Sequence, residues 1–128
     1  MSSLNNKTKK MQSFKSRTPA SEEQIIEAEQ LLGLSFSQEY SDYLAEFGCA
    51  SIYGHEFTGI CKSARLNVVH VTKAQREFNP DIPLDWYVIE ETNVDGITIW
   101  QDSDGSIYFK SPNKLAKCIA SSFLEYLK

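Results

Sequence analysis

The spacing of apolar and polar positions predicts two helices in the first half of the chain. Ser21 and Gln24 fit a capping box at the start of the first helix, and Gly33 fits its end. Ser37 and Gly48 stand at the two ends of the second helix in the same way. The apolar stripe of this second helix recurs at i, i+3, i+4 and i+7 and consists of Tyr40, Tyr43, Leu44 and Phe47. The pattern therefore predicts an αα-hairpin.

After Gly48 the pattern changes to short runs of β-branched and aromatic residues at strand length. These runs predict strands over 51–60, 66–71, 86–91 and 96–102. A capped turn of helix is expected from Thr72 to Phe78, and a last short helix begins after Ser121 or Ser122. The sequence thus indicates two helices first, then strands with one short helical turn among them, then a closing helix.

Asp104-Gly105 is the strongest hairpin signal in the chain, because both residue types suit the central positions of a type I′ turn. A two-residue loop at this point would pair Trp100 with Phe109 and Gln101 with Tyr108. Each face of this hairpin would then carry at least one aromatic side chain.

These elements predict an α+β fold in which helices pack on a mostly antiparallel β-sheet in a single domain. The domain is expected to span 19–128, and 1–18 to form a basic flexible tail or a frayed helix. A chain of 128 residues that is 41% hydrophobic suits one soluble domain. The residues expected to be buried are Ile25, Leu32, Tyr40, Leu44, Phe47, Ile119 and Phe123.

Charge is segregated along the chain, whose formal net charge is −4. Two segments contain no lysine or arginine. From Thr18 to Cys61 the carboxylates are Glu22, Glu23, Glu27, Glu29, Glu39, Asp42, Glu46 and Glu56. From Glu77 to Phe109 they are Glu77, Asp81, Asp85, Glu90, Glu91, Asp95, Asp102 and Asp104. Such segments repel nucleic acid and anionic lipid and attract basic proteins. The first segment also fits ordinary solvated helix faces.

Catalytic and metal-binding signatures are missing from the sequence. It contains no nucleophile elbow, no glycine-rich phosphate loop and no His-Glu-x-x-His motif. The residues Cys49, His55, Cys61 and His70 lack the short paired spacing of structural zinc sites. We therefore expect a protein that is not an enzyme and that binds no metal and no other cofactor.

The two ends of the predicted domain resemble the SUKH superfamily, the group related to the yeast cell-wall-synthesis regulator. The opening run from Pro19 to Gly48 matches the family pattern at Ile25, Glu29, Leu32, Gly33, Tyr40, Leu44 and Gly48. The closing run from Ile119 to Leu127 is similar to the family's Ile-Ala-x-Ser-Phe-x-x-Phe/Tyr-Leu. Ser37 replaces a common proline, and Cys49 replaces a common glycine, which puts the local geometry at two helix ends in doubt.

This resemblance implies an immunity protein that neutralises a cognate toxin, because bacterial members of the family largely have that role and their targets are often nucleases. The acidic segments suit a basic toxin, which would be blocked by steric and electrostatic occlusion. A non-toxin interaction or regulatory scaffold module is the alternative, and an unrecognised enzyme is the third interpretation. The sequence leaves the oligomeric state open.

The second acidic segment is the predicted binding face, since carboxylates and aromatic residues alternate along it. The predicted partner-binding residues are Asp85, Trp86, Glu90, Glu91, Asp95, Trp100, Asp102, Asp104 and Tyr108. We expect their carboxylates to form one continuous acidic field with at least one partly exposed aromatic. The acidic helices at 22–46 are the competing face.

No apolar run approaches the roughly 20 residues of a membrane span, and no apolar core follows the basic N-terminus as a secretion signal would require. The sequence therefore predicts a cytoplasmic protein without membrane contact.

Overall fold

A computed structural model describes residues 15–16 and 18–127, and it shows an α+β fold. Four α-helices lie in this part of the chain: α1 (Glu22–Leu32), α2 (Gln38–Phe47), α3 (Val68–Phe78) and α4 (Phe123–Leu127). The strands there are β1 (Lys15–Ser16), β2 (Ala50–Ile52), β3 (His55–Glu56), β4 (Tyr87–Glu91), β5 (Thr98–Gln101), β6 (Ile107–Lys110) and β7 (Lys117–Ala120). The predicted fold class is confirmed.

The strands form two antiparallel sheets, ordered β1-β2-β3 and β4-β5-β6-β7. The sheets meet at one point, where Phe57 bridges to Glu90 in an antiparallel arrangement. The Thr58 N–H donates to the Ile89 carbonyl at 2.8 Å beside this bridge. Strand β4 therefore connects the small sheet to the large one.

The ends of α1 and α2 form through local side-chain capping, as the sequence predicts. Ser21 and Gln24 make a reciprocal capping box, and Gly33 ends α1 in the left-handed conformation at φ +69°. The Ser37 hydroxyl accepts the Tyr40 N–H at 3.0 Å and so begins α2. Serine therefore supplies the cap at the position where the family commonly has proline.

The strand predicted at 66–71 is wrong, because these residues lead into α3. The Asn67 side-chain oxygen accepts from the backbone N–H groups of Val69 and His70 and starts the helix. Val68, Val71 and Thr72 are buried on one helix face. Burial of this face outweighs the modest helix propensity of β-branched residues.

The β5–β6 hairpin has a register one residue away from the predicted one. Trp100 lies opposite Tyr108 instead of Phe109. The loop is longer than two residues, because Asp102 N–H still donates to the Ser106 carbonyl at 3.1 Å and Gly105 adopts φ +101°. A three-residue loop with a left-handed glycine is the next most common hairpin type. The shift places Trp100 and Tyr108 directly opposite each other, on one face of the sheet.

The large sheet is covered differently on its two faces. The main core lies on one face and includes the fully buried Tyr40, Tyr43, Leu44, Phe57, Tyr87 and Phe123. The second core consists of Val71, Ile82, Val88 and Trp100, with Trp86 and Tyr108 packed against it. Tyr87, Val88 and Ile89 of β4 alternate between these two cores, as the pleat of a strand requires.

Most of the residues predicted to be buried are buried. Leu32, Tyr40, Leu44, Phe47 and Phe123 are at most 4% exposed. Ile25 is partly buried and packs against the main core. The prediction for Ile119 is wrong, since this side chain is 41% exposed on the edge strand β7.

Within the predicted tail or frayed helix, Lys15 and Ser16 pair with Ser51 and Ala50 as an edge strand. Nearly all of the rest of 1–18 lies outside the described residues, so the prediction for it stays a prediction.

Candidate functional site

The nine predicted binding residues divide between the two ends of the large sheet. Because β4 and β5 are antiparallel, the start of β4 lies beside the end of β5. This hairpin end carries Asp85, Trp86, Asp102, Asp104 and Tyr108. The opposite end carries Glu90, Glu91 and Asp95, and Trp100 lies in the sheet between them. The two ends are about 13 Å apart, from four residues at 3.3 Å each. The carboxylates thus form two groups instead of one continuous field.

Trp100 does not offer a surface to a partner. Its side chain is fully buried in the second core, and its indole Nε1–H donates to the Thr98 hydroxyl at 2.8 Å. The ring is therefore removed from water, and its N–H group has a hydrogen-bond partner inside the protein. The expectation of an exposed aromatic is instead met by Trp86 and Tyr108, which are each partly exposed.

Glu90 is buried at 7% exposure, so its placement on the binding face is also corrected. Its carboxylate accepts the Tyr126 hydroxyl at 2.6 Å and lies 3.0 Å from His55 Nδ1. Burial, followed by the hydrogen bond to Glu90, raises the pKa of Tyr126. This cluster connects β3, β4 and α4, and sequence spacing gives no signal for it.

The other two carboxylates at this far end of the sheet differ in exposure and in hydrogen bonding. Glu91 accepts from the side chain of Gln75 at 2.7 Å, which fixes it against α3. Asp95 is exposed in a turn at φ +53°. Of the three carboxylates at this end, Asp95 alone is exposed, because Glu90 is buried and Glu91 is partly buried, so the acidic surface here is weak.

Asp102 organises the hairpin end. Its Oδ1 accepts the backbone N–H groups of Asp104 and Ser106, both at 3.0 Å. Its Oδ2 accepts the Tyr108 hydroxyl at 2.8 Å. Desolvation and the adjacent Asp102 carboxylate raise the pKa of Tyr108 to about 12. A single carboxylate therefore fixes both the loop and the phenol.

Trp86 stacks on Tyr108 with ring centroids 3.7 Å apart and planes at 15°. Asp85, which precedes Trp86 in the sequence, and Asp104, in the β5–β6 loop, carry exposed carboxylates at the same end of the sheet. Since the rings support each other and Asp102 holds the phenol, the hairpin end is a preorganised surface with aromatic and acidic groups together. Such a combination is typical of interface anchors.

Trp86 also lines a cleft, which we call the Trp86 cleft. Its cavity volume is about 490 Å³. Two segments of the chain line it, and we call them its walls: 78–83 with Trp86, and Lys110 with 113–116. The rim residues Phe78 and Leu115 are 78% and 88% exposed. Tyr108 does not line this cleft.

On the competing acidic face of α1 and α2, only some of the carboxylates are exposed to solvent. Glu39 is turned inward, where it accepts from the backbone N–H groups of Phe123 and Leu124 and caps α4. Burial raises the pKa of this carboxyl group. Glu29 accepts the Phe36 N–H at 2.8 Å. The exposed carboxylates of α1 are Glu22, Glu23 and Glu27.

Two further observations concern only the described part of the chain. Within it, no three His, Cys, Asp or Glu side chains lie close enough to hold a metal ion. No helix in the same part is both long and apolar enough to cross a membrane.

Comparison with known proteins gives the family. The family model described as SMI1-KNR4 cell-wall, SUKH_5, matches residues 1–128. The chain belongs to the SUKH superfamily. No curated protein gives a significant match. The resemblance seen at 19–48 and 119–127 is therefore confirmed, and the SUKH match extends across the whole sequence.

Proposed function

We propose that this SUKH protein is an immunity protein that binds a cognate basic toxin, with nucleases as the expected class, and blocks it by occlusion. Membership of the family supports this role. The hairpin end is the observation that carries the proposal, because it presents Asp85 and Asp104 beside the stacked Trp86 and Tyr108.

Electrostatics explains why this surface suits a toxin that acts on a polyanion. A cleft that binds nucleic acid is positively charged, and exposed carboxylates attract it during diffusional encounter. The aromatic pair then supplies contact area that slows dissociation. The Asp102 hydrogen bonds hold these groups before binding, so little conformational entropy is lost.

Neutralisation by this route requires no chemical step. The protein would act in the cytoplasm by covering the toxin's cleft, without catalysis and without a cofactor. Nucleic acid and membranes would not be direct ligands, since the hairpin end is acidic.

The test starts with the full chain as bait in the source cell, followed by mass spectrometry of the captured proteins. Each captured toxin domain is then produced in a host with and without this protein. Growth only in the presence of the protein would support the proposal. Failure to protect against any captured toxin, or capture of only non-toxin partners, would contradict it in favour of a scaffold role.

A paired set of variants locates the contact. D85K/D104K reverses two exposed charges at the hairpin end, and E23K/E27K makes the same change on α1. The first pair should slow association with the toxin by roughly tenfold or more and flatten its salt dependence. The second pair should leave the association rate and its salt dependence almost unchanged. The opposite result would move the contact to the acidic helices.

A further inference from the structure

The Trp86 cleft carries an unusual amount of exposed apolar surface. Phe78 and Leu115 are 78% and 88% exposed, and they stand on opposite walls of the same cleft. Pro80, Pro83 and the partly buried Trp86 extend the apolar lining. Scattered apolar side chains on a surface are ordinary, but a concentration around one concavity marks an interaction site.

The two walls of the cleft carry opposite charge. Asp81 lies on the wall that follows α3, and Glu77 precedes it in an exposed position. Lys110 and Lys114 lie on the wall between β6 and β7. The Lys110 ammonium donates to the Ser111 carbonyl at 2.8 Å. In residues 18–127, the Asp81 carboxylate and the Lys114 ammonium have no ion-pair partner within 4.0 Å.

Opposite charges in one cleft are what a self-complementary, two-fold interface requires. In a symmetric dimer, a patch meets its own copy, so residue i of one subunit contacts residue j of the other and the reverse. A two-fold axis that runs along the cleft would bring the acidic wall of one copy against the basic wall of the second. The apolar rims then meet in the centre and are removed from water.

We infer that the Trp86 cleft is a homodimer interface, in which Leu115 of each copy enters the cleft of the other. The cavity of about 490 Å³ is within the range of sites that enclose small organic molecules, so it can accept a leucine side chain. Asp81 of one copy lies against Lys114 of the second copy, twice per dimer. Asp85, Asp104 and Tyr108 do not line this cleft, so the inference does not rest on the toxin contact.

Sedimentation velocity on the full chain tests the dimer directly, with no partner protein needed. The mass should rise from the monomer value of 14.5 kDa towards twice that value as concentration increases from about 5 to 500 µM. Leu115→Asp and Phe78→Ser should each weaken association by roughly tenfold or more. Leu84→Asp is the matched control, because Leu84 is 70% exposed but does not line the cleft.

A charge exchange tests the two-fold arrangement. Lys114→Glu alone places two carboxylates together at each contact and should weaken the dimer, whereas D81K/K114E should restore it. Circular dichroism confirms that each variant is folded. A monomer at every concentration, a dimer that survives Leu115→Asp, or a charge exchange that restores nothing would each overturn the inference. Because no toxin takes part, failure here leaves the proposed immunity function unaffected.

Discussion

Replacing Asp102 by alanine tests how the hairpin end is held together. The change removes the acceptor of three hydrogen bonds, two from loop N–H groups and one from the Tyr108 hydroxyl. Each bond contributes about 0.5–1.5 kcal/mol net, and the partly exposed site lets water replace some of them. We therefore expect a loss of about 1–2 kcal/mol in the free energy of unfolding. For a chain of this size, that lowers Tm by roughly 3–10 °C.

Asp102→Asn separates the hydrogen bonds from the charge. The amide oxygen can still accept from the loop N–H groups, so the loss of stability should stay below about 1 kcal/mol. The carboxylate no longer holds the Tyr108 proton or opposes its loss, so the Tyr108 pKa should fall from about 12 towards its ordinary value of 10. Burial remains, which keeps this pKa above 10.

Thermal unfolding followed by circular dichroism measures the loss of stability in the two Asp102 variants. Alkaline titration of phenol absorbance, with Tyr108→Phe to assign the signal, measures the Tyr108 pKa. Asp104→Asn is the matched control, because it removes the same charge from the same loop and its exposed side chain makes none of these hydrogen bonds. If Asp102→Ala unfolds within about 1 °C of the wild type, the organising role of Asp102 is refuted.

Three further outcomes follow from the buried groups. Leu44→Ala should cost about 2–5 kcal/mol in urea unfolding, because Leu44 is fully buried. Glu90→Ala should cost about 2–3 kcal/mol, because it leaves the Tyr126 hydroxyl without its acceptor. Stability should be fully present below about pH 10 and fall above it, because the folded protein raises the pKa of five tyrosines above the unfolded value near 10.

Each of these outcomes has its own control. Leu31→Ala, at a side chain that is 50% exposed, should cost less than 1 kcal/mol in the same urea assay. Glu91→Ala should likewise cost under about 1 kcal/mol, and equal losses at both glutamates would argue against the buried cluster. In the alkaline titration, the fully buried Tyr40, Tyr43 and Tyr87 should ionise only as the protein unfolds, and their ionisation in the folded protein would contradict their burial.

The ends of two helices could be predicted from the sequence, because they depend on interactions between residues close together in the chain. Ser21, Gly33, Ser37 and Gly48 act on backbone groups within a few residues of themselves, so the ends of α1 and α2 could be predicted. The apolar period of α2 likewise identified its buried face. At 66–71 the β-branched composition favoured a strand, while burial of one face against the sheet favoured the helix that forms.

The candidate site depended much more on tertiary structure. Sequence identified the acidic and aromatic segment, and Asp85, Trp86, Asp104 and Tyr108 do lie together at one end of the sheet. It could not show that Trp100 is buried, because a one-residue change in loop length changes which residues lie opposite each other in the hairpin.

Contacts between distant parts of the chain decided the rest. Glu90 meets His55 and Tyr126 across 35 and 36 residues, so no local pattern records the cluster. The Trp86 cleft likewise exists only because the segments 78–86 and 110–116 are brought together over one sheet face. The sequence by itself determined the elements whose ends are fixed by hydrogen bonds between neighbouring residues. Only the tertiary structure decided which charges and rings remain at the surface, because burial depends on what the rest of the chain places beside them.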